Sequence, residues 1–297
     1  MANFQTLRPS PTALLNPRCD PIFKAIFTQG TKESDFALRE LISALLGQKV
    51  VELTLQPNEP PIETLTNMQM SFDVSVKFDT GELADIEMQG RNQNYDYEAR
   101  SEIQAARLLN IAAVRGSNWH SQKVYQISIL NFEFDKDDNA PLSWYTMRKD
   151  GGGRLGDRLN VIFLDLAKIR KKLGTPVENL TKTDKWGMYF ACADVEKHRN
   201  YIEQIVKSEE GLMAADFVVK RMSADEANWF RQNSYLMGQW DYNHGLERAE
   251  MRGLARGERN AKLEAAKNLL AFGDSAEKVS AVTGLSVDEI LSLAVKN

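Results

Sequence analysis

Two short segments of the chain alternate strictly between apolar and polar residues, and a tight turn joins them. Residues 72–78 and 84–89 both place an apolar side chain at every even position and a polar one at every odd position. This period of two is typical of strands that are half-buried, with one face in the core. Asp79-Thr80-Gly81 suits a three-residue hairpin loop with Gly81 in the left-handed conformation. The pattern therefore predicts a β-hairpin.

The register of this hairpin brings two carboxylates together. The loop pairs residues whose numbers sum to 160, which places Asp73 opposite Glu87 on the polar face. The apolar face pairs Phe72 with Met88, Val74 with Ile86, and Val76 with Ala84. Like charges directly opposite each other destabilise a sheet. A hard divalent cation such as Mg²⁺ between them would remove that penalty, because it prefers carboxylate ligands.

Outside the hairpin, hydrophobic periodicity predicts alternating helices and strands. Asp20-Pro21 is a typical helix start, because Asp caps a helix and Pro suits its first turn. An apolar face over residues 33–46, followed by Gly47, predicts a second helix. The remaining elements are a strand over 50–55, a helix near 95–114, and strands over 124–130, 143–147 and 161–166. This order predicts an α/β fold, a short mixed sheet flanked by helices.

The second half of the chain has a helical pattern. Residues 184–240 carry Trp186, Trp229 and Trp240 as apolar anchors, and residues 245–268 are charged and rich in alanine. We therefore predict three parts. They are an α/β domain over 1–170, a helical extension over 171–244, and a charged helical tail over 245–297.

The tail carries two features with open interpretations. Arg248, Arg252 and Arg256 recur every four residues and form one stripe on a helix. Neighbouring glutamates favour a solvated face, and a stripe that contacts phosphates is the alternative. Short helices around Gly284, with a capping box from Ser286 to Glu289, resemble a helix-turn-helix. A helical hairpin for self-association is the other interpretation.

Composition narrows the class of protein. The chain has 297 residues, 43% of them hydrophobic and 26% charged, with a net charge of −4. Binding to any polyanion would therefore need a local basic patch or bound metal ions. Two distant cysteines, Cys19 and Cys192, indicate a reducing, cytoplasmic compartment. No secretory signal or run of about 18 apolar residues is apparent, so we expect no membrane partner.

Several segments together resemble the Rpn family of recombination-promoting nucleases, whose members are also labelled transposases. The opening Asp20-Pro21-Ile22-Phe23-Lys24 is similar to the start of that family, and Ile86-Glu87-Met88-Gln89 is similar to its Ile-Glu-x-Gln strand. Arg100 follows at the usual distance on the next helix. The resemblance covers roughly residues 16–190. It implies a PD-(D/E)XK nuclease core, in which Gln89 stands where the superfamily usually carries lysine.

The resemblance also implies a metal site. Asp73 and Glu87 would bind Mg²⁺ or Mn²⁺ together with the carbonyl oxygen of Met88. Such an ion polarises the scissile phosphate and lowers the pKa of a bound water. Glu40, on an early core helix, is a candidate further ligand, and an exposed carboxylate is its alternative interpretation. Asp85 shares the acidic face and would replace or supplement Glu87.

Three further residues have catalytic roles by the same resemblance. Gln89 would orient the attacking water, while Lys24 or Arg100 would stabilise the charge that builds on the phosphate. A surface position for Lys24 and an ion pair for Arg100 are the alternatives. Gln104 departs from the family pattern, where an aromatic residue is common, and is similar to a helix glutamine of other superfamily branches.

We expect a Mg²⁺-dependent DNA endonuclease linked to recombination or mobile elements. Two alternatives stay open. One is an inactive DNA-binding or interaction protein on a nuclease scaffold, supported by Gln89 in the lysine position. The other is a defence or toxin-like nuclease. DNA is the expected partner, and the tail suggests a homo-oligomer as a second.

Overall fold

The computed structural model describes residues 8–58, 71–91, 96–113 and 120–294. Its strands are β1 Leu53–Leu55, β2 Val74–Phe78, β3 Leu83–Gln89, β4 Val124–Leu130, β5 Leu142–Thr146 and β6 Leu159–Asp165. Its first helices are α1 Asp20–Phe27, α2 Lys32–Leu46, α3 Tyr97–Ala112, α4 Leu166–Arg170 and α5 Lys182–Cys192. The later helices are α6 Arg199–Lys207, α7 Glu210–Ser223, α8 Glu226–Ala271, α9 Ala276–Thr283 and α10 Val287–Ala294.

The strands form one mixed sheet in the order β1-β2-β3-β4-β6-β5. The central pairs β3–β4 and β4–β6 are parallel, and the outer pairs are antiparallel. Parallel neighbours require a crossover, which α3 supplies between β3 and β4. The predicted mixed sheet with flanking helices is confirmed.

The hairpin register is confirmed from Val74 onward. Val74 pairs with Ile86 and Val76 with Ala84, and Gly81 has a φ of +89°. The predicted pairing of Phe72 with Met88 is wrong. Strand β2 begins at Val74 after a bend at Asp73, and Phe72 packs with a cluster of residues from α3, β3 and β4 instead of with the main core. The alternation of side chains does not continue through that bend.

The expectation of a half-buried hairpin is also wrong for β3. All seven of its residues are buried, including Asp85, Glu87 and Gln89. One face packs into the main core, and α3 packs across β3, β4 and β6 on the other. The sheet is therefore a middle layer between helices, and its polar residues on the α3 side lie in the interior.

Two predicted element ends shift for local reasons. Asp20 lies inside α1, where its carboxylate contacts Lys24 instead of capping the helix. The first strand begins at Leu53 instead of Val50, because Val50 N–H donates to the Ser43 hydroxyl and the Val51 carbonyl accepts from Arg39. Residues 50–51 are thus bonded to α2, and the sheet begins after them.

The chain divides into two compact units, residues 1–235 and 236–297. In the first, the helices from α5 to the start of α8 share one hydrophobic core with the sheet, and Trp186 and Trp229 are buried in it as predicted. Trp240 is 58% exposed, so its predicted role as an anchor is wrong. The predicted three-part division of the chain stays a prediction.

The second unit contains the C-terminal part of α8 together with α9 and α10. Its small core consists of Ala266, Val279, Leu285 and Ile290. Gly284 ends α9 with a φ of +69°, and Ser286 and Glu289 bond reciprocally in the predicted capping box. No helix in the described part of the chain combines the length and apolar character that crossing a membrane requires.

Candidate active site

Asp73 lies at the bend that precedes β2, and both of its carboxylate oxygens have partners. Oδ2 accepts a hydrogen bond from the Met88 backbone N–H at 3.1 Å, which ties Asp73 to β3 beside Glu87. Oδ1 lies 3.0 Å from Lys24 Nζ on α1. The structure therefore brings the predicted residues Lys24 and Asp73 into direct contact.

Lys24 bridges two carboxylates. Its Nζ lies 3.2 Å from Asp20 Oδ1, one helical turn earlier, as well as close to Asp73. Burial alone would lower the pKa of Lys24, but the charges of Asp73 and Asp20 outweigh it and raise that pKa. Burial and Asp73 together raise the pKa of Asp20. Lys24 stays charged and is 31% exposed at its side chain, so it retains an open side.

Glu87 is 1% exposed and is held by two residues of α3. Arg100 NH2 lies 2.9 Å from Oε2, and Gln104 Nε2 donates to Oε1. Arg100 and Gln104 are four residues apart, which places them on the same face of the helix. Burial raises the pKa of Glu87 to about 7; Arg100 opposes this shift and Asp73 adds to it. Arg100 thus forms the ion pair given above as its alternative interpretation, with the site acid Glu87 as the partner, and its catalytic role stays a prediction.

Asp85 is the carboxylate of the site that lacks N–H donors. It is fully buried, and no N–H or hydroxyl group of the described residues donates to its oxygens, but the carboxyl of Glu87 lies within hydrogen-bonding reach of it. Burial, then the charges of Glu87 and Asp73, raise the pKa of Asp85 well above its ordinary value, against the opposing effect of Arg100. A buried carboxylate without donors is costly unless a proton or a cation accompanies it.

Gln89 lies at the end of β3 on the same face. It is 9% exposed, and its Nε2 donates to the Arg91 carbonyl at 2.9 Å. Its predicted role in orienting water stays a prediction, as does the ligand role of the Met88 carbonyl.

Glu40 has a different set of neighbours from the other candidates. It lies on α2, 4.0 Å from Lys182 Nζ, and packs so closely on α7 that a Cβ on Gly211 would lie 2.3 Å from its own Cβ. The structure thus places Glu40 against α5 and α7. Its ligand role stays a prediction.

Sequence reasoning missed two contributors to the site. Asp20 was interpreted only as a helix start, although its spacing of four residues from Lys24 was a signal for an ion pair. Tyr235 on α8 follows Asp73 by more than 160 residues, and nothing in the pattern linked them. Burial, then the charges of Asp20, Cys19 and Asp73, raise the pKa of Tyr235 to about 12. Tyr235, near the start of α8, is therefore under the electrostatic influence of Asp20 and Asp73.

A model of the family described as PD-(D/E)XK nuclease family transposase matches residues 17–249. This chain belongs to that family. The match spans the sheet, the acidic hairpin and the helices up to the middle of α8, and it supports a nuclease or transposase-like function. No curated protein and no solved structure matches the chain.

PD-(D/E)XK nucleases generally use divalent metals, and the residues present fit such an ion. Among the described residues, no group of three or more His, Cys, Asp or Glu side chains is arranged to hold a metal. However, Mg²⁺ usually keeps several waters and takes only one or two protein carboxylates. Asp73 and Glu87 are two such carboxylates, and buried Asp85, whose oxygens receive no N–H or hydroxyl donor from the described residues, lies beside Glu87. The donor set is therefore suited to a hard cation.

Proposed function

We propose that this protein is a DNA endonuclease that depends on Mg²⁺ or Mn²⁺ and acts in recombination or on mobile elements. The observation that supports this most is the charge balance of the site. Four carboxylates, those of Asp20, Asp73, Asp85 and Glu87, face two cations, Lys24 and Arg100. With the four carboxylates ionised, a divalent ion would compensate the excess negative charge and would take the place of the N–H donors that Asp85 lacks.

The ion would supply Lewis-acid activation of the phosphate and a water of lowered pKa. Asp73 and Glu87, with the Met88 carbonyl, would hold it. The hydrogen bond from Met88 N–H fixes Asp73 relative to β3, and Arg100 and Gln104 fix Glu87. Preorganised ligands of this kind stabilise charge without rearranging during the reaction.

Lys24 and Arg100 would stabilise the charge that develops on the phosphate. Their side chains are 31% and 37% exposed, so each is accessible to a substrate phosphate from solvent. Gln89 would hold the attacking water, since its amide has both a donor and an acceptor.

Cleavage of supercoiled plasmid tests this proposal. We expect nicking with Mg²⁺ and none with EDTA. Asp73→Ala and Glu87→Ala should each lose more than about a hundredfold in rate, because a metal contributes several kcal/mol to such a transition state. Asp79→Ala is the matched control, since Asp79 is an exposed acid in the loop of the same hairpin. Nicking by either site variant at the wild-type rate would refute the site.

An inactive DNA-binding protein is the second candidate. Gln89 in the position of the usual lysine favours it, because the amide supplies no positive charge. Tight DNA binding by the wild type with no cleavage in either Mg²⁺ or Mn²⁺ would support this candidate. A defence nuclease would share the chemistry of the first proposal and differ in its biological target.

DNA affinity would come in part from the stripe of Arg248, Arg252 and Arg256 on α8, all of which are exposed. Replacing the three with glutamine should weaken DNA binding and make its salt dependence shallower, by up to about 0.9 in slope per lost phosphate contact. Exchanging Glu247, Glu250 and Glu264 for glutamine is the control on the same helix. An unchanged slope would assign the stripe to solvation or self-association, which sedimentation distinguishes.

The cytoplasm is the compartment we propose. Cys19 and Cys192 are both buried free thiols, which suits a reducing environment.

A further inference from the structure

Glu87 is held by an amide that is itself held by its neighbours. Gln104 is buried and donates from Nε2 to Glu87 Oε1. An amide has a donor end and an acceptor end, so this orientation turns the Gln104 carbonyl away from Glu87. A buried carbonyl oxygen requires a donor. Gln126 on β4 supplies one, with its Nε2 at 3.5 Å from Gln104 Oε1.

Gln126 is fixed in turn by a hydroxyl. Its Nε2 donates to Ser128 Oγ at 2.8 Å, and Ser128 Oγ also accepts from the Tyr97 hydroxyl at 2.9 Å. Tyr97 and Gln104 belong to α3, whereas Gln126 and Ser128 belong to β4. The four side chains thus form one buried chain of hydrogen bonds between helix and strand, and it ends at Glu87.

The orientation of Gln126 has a local cost. Gln126 is the β4 partner of Asp85, yet its amide N–H groups point to Ser128 and Gln104. Neither Gln126 Oε1 nor either Asp85 oxygen has an N–H or hydroxyl donor among the described residues. A buried polar group without a partner is destabilising. The reversed amide would withdraw the donor from Gln104 and from Ser128, so the observed orientation favours Glu87.

We propose that Gln126 is a positioning residue that fixes the amide of Gln104 and, through it, the carboxylate of Glu87 as a metal ligand. The inference rests on the proposed function, because it treats Glu87 as a ligand. Residues that orient a metal ligand typically change metal affinity or activity by about 10–100-fold when they are replaced.

Calorimetric titration of the full-length protein with Mn²⁺ tests the proposal. Gln126→Met and Gln104→Met should each weaken Mn²⁺ binding at least about tenfold. The double variant should bind no more weakly than Gln104→Met alone, because residues that act through one another are not additive. Wild-type affinity in Gln126→Met, or losses that add in the double variant, would overturn the inference.

A pair of variants at Ser128 separates positioning from packing. Ser128→Thr keeps the hydroxyl acceptor, whereas Ser128→Ala removes it with less disturbance of volume. If Gln126 acts by positioning, the Ser128→Thr protein should bind Mn²⁺ more tightly than the Ser128→Ala protein. If its role is purely steric, the order of the two affinities should be reversed. Circular dichroism should show folded protein for both.

Two different failures can be told apart. If the wild type binds no Mn²⁺, the proposed function fails and this inference falls with it. If the wild type binds Mn²⁺ and Gln126→Met binds it equally well, only the positioning role fails.

Discussion

The two faces of β3 and β4 are buried to the same degree but are built from opposite kinds of side chain. The face toward the main core consists of Ala84, Ile86, Met88, Tyr125, Ile127 and Ile129, none more than 5% exposed. The middle of the face toward α3 consists of Asp85, Glu87, Gln126 and Ser128, none more than 1% exposed. The two faces therefore do not differ in burial, but they differ in how they contribute to the free energy of folding.

The apolar face stabilises the fold, since each fully buried aliphatic side chain contributes about 1.5–3 kcal/mol. The polar face destabilises the fold, because the carboxylates lose their hydration. Ion pairs and hydrogen bonds from Arg100, Gln104 and Lys24 compensate for that loss only in part. Apolar clusters around Leu108 at one end and Phe163 at the other keep α3 packed over the polar strip. A local conflict of this kind is expected at a functional site.

Substitutions on the two faces should act in opposite directions on stability. Ile127→Ala should lower the free energy of unfolding by about 2–5 kcal/mol, because it opens a cavity in the core. Asp85→Asn should raise it at pH 8 without metal, because the raised pKa of Asp85 means that folding must either bury its charge or bind a proton there. Urea denaturation with EDTA measures both values.

The sign of the Asp85 effect can be checked by pH. The raised pKa of Asp85 means that the penalty is absent at low pH, where the wild-type carboxyl is protonated in both states. The gain from Asp85→Asn should therefore disappear near pH 4. Destabilisation by Asp85→Asn at pH 8 without metal would show that the charged groups of the polar face stabilise the fold. The proposed difference in energetics between the two faces would then be wrong.

The sequence pattern could predict those features of the hairpin that depend only on residues close together along the chain. Alternation and the loop with Gly81 predicted the register that pairs Val74 with Ile86 and Val76 with Ala84, whereas Asp73, predicted to lie opposite Glu87, lies at the bend before β2. The burial of Glu87 could not be predicted, because it depends on α3 packing across the sheet. The effect of Asp73 on Tyr235 could not be predicted either, because more than 160 residues separate the two along the chain.

The role of Gln104 falls between these cases. The sequence showed that Gln104 stands where an aromatic residue is common in the family. A pattern of apolar and polar residues does not, however, indicate which residue an amide side chain will bond to. Its partner Glu87 is 17 residues earlier on another element. Only the packing of α3 on β3 identifies the two as a pair.

The polar face should also make stability depend on pH in the metal-free protein. The pKa of Glu87 is raised from 4.5 to about 7. Between these values the folded state binds more protons than the unfolded state, so the free energy of unfolding falls as pH rises. The stabilisation is complete below pH 4.5 and is lost as pH passes 7, a change of about 1–3 kcal/mol.

The Glu87→Gln variant isolates this contribution. Urea denaturation at several pH values with EDTA should show a steeper decline for the wild type than for the variant. Equal pH dependence in the two proteins would mean that Glu87 titrates normally and that burial does not perturb it. Added Mg²⁺ should reverse the decline in the wild type, since the ion requires ionised ligands.

The smallest expected effect concerns Gln89, where the polar face reaches the end of β3. If Gln89 orients the attacking water, Gln89→Ala should lower the nicking rate about tenfold, within the range for a positioned proton-transfer or water-binding group. Gln89→Lys restores the usual superfamily residue and should keep or raise the rate, because an ammonium group stabilises developing negative charge. Because Gln89 is only 9% exposed, a lysine side chain at this position would stay charged only if the carboxylates of Asp73 and Glu87 stabilise its ammonium group. Rates for both variants, measured in Mg²⁺ with binding of uncleaved DNA as the control, decide the matter. An inactive lysine variant beside an active alanine variant would remove Gln89 from the mechanism, and the chemically active part of the face would then end at Glu87.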